Sequence, residues 1–473
     1  MKLSLPRVLF LKCVTFCQII IIVMATNNDN NNIVSYICKR TVVSTKPIEP
    51  GKYMTFSVLD RCMEKNHIRM VYYYQSSLGE GEFGKMTKNL RETLSEMLNY
   101  YPMVTGRLVR DSEEKWKVKC NDAGVRVVEA KAKGSVEEWL KNVDSEKEHM
   151  LVYWEDMYHK PYYWSTFYVQ ITEFEEGGLA IGLSCFHLLA DYTSATNFLK
   201  AWSDISLGNK ITVLPLFHPL PSTRKRISNH HPYFELINHY KSSIERPIPI
   251  KEEKYTIISL GFSHQMVNAC ISKAQFNGPS GPITMTPFEA LAGLFWASIS
   301  NIKGLQNGLI DMSICLDARK LLGLDYGFFG NTMIYNKVHA NGNLEGNIFV
   351  QATRYIREVV AKMDNEGIMD LIEWLEKNEM NSPRMINGPD LICVSLENVE
   401  PYLSVFEDWL KPLRVSCYIE PVLGEGQVLI LPGTPEEGPL SRVVMVTLKE
   451  DEAIKLFEDD LISQFSPTIF MKC

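Results

Sequence analysis

The chain has 473 residues, of which 45% are hydrophobic and 22% charged. That balance builds a full-sized core and argues against a disordered chain. Its 49 Lys and Arg against 56 Asp and Glu leave a net charge of −7, which argues against a nucleic-acid protein because phosphate contacts draw on a clustered cationic surplus. A local basic groove for a phosphate-bearing small molecule stays open. The 11 cysteines are scattered, with no CxxC pair and no Cys/His grouping at zinc spacing. Neither a disulfide scaffold nor a bound metal is expected. The odd cysteine number and the absence of any Asn-x-Ser/Thr sequon fit a reducing compartment.

Residues 1–32 read as a leader. Lys2, Arg7 and Lys12 precede the apolar stretch Cys13–Ala25, the pattern of a signal peptide or short membrane anchor that would place the remainder in the lumen. Met24, followed by Ala-Thr-Asn-Asn-Asp, offers an alternative start that leaves the stretch untranslated. Next come a strand over 67–75 and a helix over 87–101, whose apolar positions Leu90, Leu94, Met97, Leu98 and Tyr101 recur at helical spacing before Pro102. Strands are expected at 116–120 and 125–129, and a helix at 136–140. Residues 167–174 and 179–186 flank Glu175-Glu176-Gly177-Gly178 and predict a hairpin. A helix follows over 194–207, with Phe198 and Trp202 on one face.

Six prolines between 209 and 250, with Arg224-Lys225-Arg226, mark a crossover linker. It divides a first domain, 33–208, from a second, 251–473. The second opens with a strand at 255–262, helices at 264–276 and 286–301, a strand at 309–316 and a helix at 344–363. Strands at 413–419, 427–432 and 442–448 precede a helix at 451–463. Strands and helices mix in both halves, so the class is α/β or α+β with two domains.

The segment Ser184-Cys185-Phe186-His187-Leu188-Leu189-Ala190-Asp191 carries the strongest chemistry. A histidine stands where an apolar strand opens into a loop, and an imidazole with an ordinary pKa of about 6.5 can take a proton from a hydroxyl or amine in acyl transfer. Alone, H-x-x-x-D is a short motif. On the motif alone, a core histidine with a surface carboxylate nearby is the better explanation, and a metal pair would lack further ligands. Gly79-Glu80-Gly81-Glu82-Phe83-Gly84 matches a phosphate-loop pattern. Glu80 and Glu82 would repel an anion and no Gly-Lys-Ser/Thr follows, so it reads as a loop. Arg224-Lys225-Arg226 is either a phosphate attractor or a solvated linker. No Gly-x-Ser-x-Gly elbow supports a serine hydrolase.

Longer blocks resemble a known family in the order in which it arranges them. LSEMLNYYPMVTGRL (94–108), KCNDAGVRVVEA (119–130), VQITEFEEGGLAIGLSCFHLLAD (169–191), TPFEALAGLFWASI (286–299) and CLDARKLLGLDYGFFGN (315–331) are similar to the plant BAHD acyltransferases. The resemblance covers some 400 residues and implies two similar chloramphenicol-acetyltransferase-like domains, with mixed sheets flanked by helices and a solvent channel between them. It implies a monomer that binds no cofactor and takes acyl-CoA as co-substrate, with an alcohol or amine acceptor. It implies His187 as general base, and Asp191 as a structural carboxylate paired with Arg319.

Three departures stand out. Tyr192 follows Asp191 where the family usually has glycine, and Phe328 replaces a tyrosine. The second family signature is reduced to Phe406-Glu407-Asp408-Trp409-Leu410-Lys411-Pro412, where only Trp409, Lys411 and Pro412 keep their identity. Trp409 is carried over as a structural residue. Asp408 and Leu410 resist backbone angles that glycine permits. A kept first signature with a lost second is similar to the eceriferum branch, which CNDAGVRVVEA, VEEWL (136–140) and ITEFEEGGLAIGLS also resemble. That likeness implies action beside a fatty-acid elongase condensing enzyme at the endoplasmic reticulum, extending very-long-chain acyl-CoA toward cuticular wax. In that branch the histidine need not be catalytic.

Overall fold

The computed structural model describes residues 33–49, 51–75, 84–221, 234–245, 254–278, 281–305, 308–340, 346–379, 383, 388–406 and 411–472. The leader, most of the Gly79–Gly84 loop, Arg224-Lys225-Arg226 and Trp409 lie outside them. Among the described residues no helix is long and apolar enough to cross a membrane.

Two mixed sheets organise the molecule. The first has six strands in the order Val34–Val42, Val125–Ala132, Phe167–Phe174, Leu179–Phe186, His67–Tyr74 and Pro412–Glu420. The second has seven: Met333–Val338, Met312–Asp317, Leu391–Ser395, Gln427–Pro432, Arg442–Lys449, Tyr255–Phe262 and Thr468–Met471. The predicted hairpin forms with Phe167 opposite Cys185 and Glu173 opposite Leu179. All its strand residues are buried, as expected for central strands covered on both faces. Its turn ends at Gly178, whose φ of +113° and missing Cβ suit it: a Cβ there would lie 2.5 Å from Val136.

The helix Tyr192–Ser206 crosses helix Lys85–Met97, and the Trp202 indole donates to the Leu90 carbonyl at 3.0 Å. In the second half, Thr286 and Glu289 close a capping box on helix Pro287–Ile302. Helix Ile348–Lys362 approaches it so closely that a Cβ on Gly293 would sit 2.2 Å from Thr353 Oγ1. The expected single helix over 451–463 is two, Glu450–Leu456 and Asp460–Ser463. Asp459 caps the second by accepting from the Ile462 N–H at 3.2 Å, and a capping side chain competes with helix continuation.

Elements cross the division expected at 209–250. Strand Pro412–Glu420 comes from the second half yet pairs antiparallel with His67–Tyr74 in the first sheet. Within 209–250, Phe234–Glu245 is a helix, and the fully buried Tyr240 accepts from the Tyr335 N–H at 3.2 Å. One continuous core holds Ile68 and Leu183 of the first sheet together with Ile334 and Leu429 of the second. The strand reads PLRVSCYIE, mixing apolar with polar residues as its partner HIRMVYYY does, so nothing in its own residues says which sheet it joins.

Candidate active site

His187 begins where strand Leu179–Phe186 ends. Its N–H donates to the Asn66 carbonyl at 3.0 Å, extending the ladder one residue past the strand. Its carbonyl accepts from the Asn331 side-chain amide at 2.8 Å. The main chain is therefore held from both sides. The residue is only 1% exposed, and neither ring nitrogen has a hydrogen bond of full geometry, although the Asn331 side chain and the Ala190 main chain lie beside the ring. Burial pushes the imidazole below its ordinary pKa, while the Asp191 charge opposes the shift. At neutral pH the ring is uncharged, with a lone pair available to accept a proton.

Asp191 makes no hydrogen bond to that ring. It is the N-cap of helix Tyr192–Ser206 and accepts from the Ser194 N–H at 3.0 Å. Both its oxygens meet the Arg319 guanidinium, each at 2.7 Å, a bidentate pair with both partners buried. Arg319 also reaches Asp317 at 2.9 Å, the Thr332 hydroxyl at 2.7 Å and the carbonyls of Phe328 and Gly330 at 3.2 and 3.1 Å. Burial alone would raise the Asp191 carboxyl, yet the Arg319 charge and bonds outweigh it and hold it below the ordinary range. Arg319 is correspondingly raised, its acidic partners overcoming burial. Asp191 and Arg319 tie the cap of one helix to the loop that follows strand Met312–Asp317.

The sequence did not single out Asp60 or Asn331. Asp60 Oδ1 accepts from both the Asn331 N–H and its side-chain amide, at 2.8 and 2.9 Å. Asn331 closes the block that resembles the family, where no role was assigned to it. Ser57-x-x-Asp60 is a capping-box pattern that flags a helix start. No sequence signal ties it to a residue 271 positions away.

Two cavities adjoin these elements. One, of about 900 Å³, is walled by Met54, Phe56, Phe217 and Phe329, with Asp60, Leu189 and Gly330 on the side of the His187 loop. His187 is not among its lining residues. The other, of about 360 Å³, lies between the sheets, with walls from Tyr418 and Glu420 on one side and Tyr255, Ile257 and Thr447 on the other. At its edge Glu420 accepts from His67 Nε2 at 2.7 Å, Arg69 at 2.9 Å and His149 Nε2 at 3.0 Å. The other nitrogen of His149 meets the Ser145 carbonyl at 2.5 Å. Both ring nitrogens thus face acceptors, which only the doubly protonated imidazolium satisfies. Burial works against that charge, but the Glu420 bond and charge outweigh it and raise His149.

The sequence model of the Transferase family matches residues 33–462. The chain belongs to this family, the BAHD acyltransferases. Among BAHD relatives, it is 25% identical over 429 residues to Protein ECERIFERUM 26-like of Arabidopsis thaliana, covering 88% of this chain and 92% of that one. It is 26% identical over 439 residues to shikimate O-hydroxycinnamoyltransferase of Nicotiana tabacum, covering 88% and 97%. The BAHD fold is also matched by an F. graminearum structure complexed with coenzyme A and T-2 mycotoxin, at a TM-score of 0.68, 13% identity and coverage of 89% and 100%.

Proposed function

We propose that this BAHD chain transfers an acyl group from an acyl-CoA to a hydroxyl or amine acceptor, with His187 as general base. The observation that carries the reading is the state of His187: a buried, neutral imidazole at a strand end, on a main chain anchored from two sides. In this mechanism His187 takes the proton of the acceptor O–H or N–H as the acceptor attacks the thioester carbonyl. The tetrahedral intermediate collapses, the C–S bond breaks, and the imidazolium returns the proton to the departing coenzyme A thiolate. Asp191 and Arg319 act as scaffold and touch neither reactant. Very-long-chain lipid or cuticular wax metabolism is the proposed setting, in the cytoplasm in association with the endoplasmic reticulum, and the likeness to ECERIFERUM 26-like supports it.

A second reading has its own observation. His187 is nearly sealed and does not line the larger cavity. That, with the altered 406–412 signature, favours a non-catalytic partner of an elongase condensing enzyme. His187→Ala separates the readings. Under the first, release of free thiol from acyl-CoA in the presence of an alcohol falls by about 10²–10⁴-fold, the usual worth of a general base. Unchanged chain extension by a co-expressed condensing enzyme would instead support the second.

A further inference from the structure

Asp60 is a buried carboxylate on a helix of five residues, Val58–Cys62. It closes a capping box: Oδ2 accepts from the Ser57 N–H at 2.7 Å, and the Asp60 N–H donates to Ser57 Oγ at 3.1 Å. A cap contributes only about 1 kcal/mol, and solvent-facing caps do this work without burying a charge. Burying a carboxylate is costly unless hydrogen bonds or an opposite charge offset it. The second oxygen makes such bonds. Oδ1 binds the main chain and side chain of Asn331, and the same Asn331 amide nitrogen donates to the carbonyl of His187.

The connection is therefore continuous, from Ser57 through Asp60 and Asn331 to the main chain at His187. Every bond in it runs from an amide N–H to an oxygen. Asp60 also lines the 900 Å³ cavity beside Gly330, whose missing Cβ would otherwise lie 3.4 Å from Oδ1 and 3.1 Å from the Phe328 ring. One carboxylate thus touches both the cavity and the support of the histidine.

We propose that Asp60 is a positioning residue of this site: it fixes Asn331, through Asn331 it places His187, and it couples whatever occupies the 900 Å³ cavity to that placement. The proposal rests on His187 being the base, and the test keeps the two ideas apart. In the full chain, the His187 ring resonance is followed by NMR against pH for wild type, Asp60→Ala, Asp60→Asn and Asn331→Ala, with His187→Ala assigning the peak. Thiol release from acyl-CoA is measured in parallel.

Asp60→Ala and Asn331→Ala should each shift the His187 titration midpoint and lower kcat by about 10–100-fold, the scale of a misplaced reacting group. KM for acyl-CoA should change little. Asp60→Asn keeps an oxygen facing Asn331, loses only the cap bond, and should restore the titration. Adding 1-octanol as an apolar alcohol probe should move the His187 resonance in wild type but not in Asp60→Ala. If Asp60→Ala does not fold, Asn331→Ala carries the test, because it leaves the Ser57 cap intact. A purely structural Asp60 would lower the melting temperature in these variants and leave the His187 titration where it was, which overturns the proposal. If His187→Ala keeps full turnover, the general-base reading fails instead, while the NMR still reports whether Asp60 places the ring.

Discussion

Two of the junctions between the halves that are built on a carboxylate behave differently. At one, Asp191 is locked by both arms of Arg319. At the other, Glu420 gathers His67, Arg69 and His149 at the edge of a cavity between the sheets. Arginine cannot lose its proton in the physiological range, so the first junction is permanent. Histidine can, so the second depends on pH. The partner's chemistry, rather than the carboxylate's burial, decides whether a junction is a fixed lock or a conditional one.

The largest effect is expected from Arg319→Ala. It strands the Asp191 charge in the core, and breaking one side of such a pair costs about 3–5 kcal/mol. Urea denaturation should show this as a lowered midpoint. A double variant, Asp191→Leu with Arg319→Met, should recover much of the loss, since an apolar pair leaves no stranded charge. If the double variant is no better than the single, the lock does more than satisfy its own charges.

Glu420→Gln should cost less, about 1–3 kcal/mol, because charge-assisted bonds weaken while the side chain stays in place. The same denaturation experiment measures it. A loss as large as that of Arg319→Ala would erase the contrast between the junctions.

The smallest effect is a pH dependence with a definite sign. His149 has a folded pKa raised above the ordinary 6.5. Its contribution is fully present below about pH 6.5 and is lost as pH rises through the folded value. Glu420 is held below its ordinary 4.5, burial being outweighed by His149, His67 and Arg69. Its contribution is present above that value and fades as pH falls through the depressed one. The stability gap between wild type and His149→Gln should therefore narrow as pH rises from 6 to 9. Over the same range the gap between wild type and Arg319→Ala should stay flat. A His149→Gln gap that widens with pH would show that His149 is held neutral.

Much of the first sheet was legible because its signals are local. The hairpin at 167–186 alternates around a turn whose glycines adopt positive φ, and its strands fall where the pattern puts them. Helix Pro287–Ile302 declares itself through its cap and unbroken apolar run. Several elements were missed. Helix Phe234–Glu245 sits among prolines and strands Met333–Val338 and Leu391–Ser395 are short, so their own propensity says little, whereas helix Asn365–Lys377 was overlooked although its Asp364 cap and its apolar face are local signals. His187, Asp191 and Arg319 were found through motif and resemblance, and the structure brings the last two into contact. Asp60, Asn331 and the Glu420 cluster carry no such signal, because their hydrogen-bond partners lie far away in the chain.

Taken alone, the sequence determined what local chemistry can determine: an acidic chain of mixed strand and helix class, its hairpin, its main amphipathic helices and a histidine at a strand end. Tertiary structure alone decided that strand Pro412–Glu420 completes the first sheet, that a helix inside the crossover packs into the core, and that Asp60 stands behind His187. Periodicity and caps are readable within a few turns of chain, whereas a partner 271 residues away is chosen by the shape and burial of the whole fold.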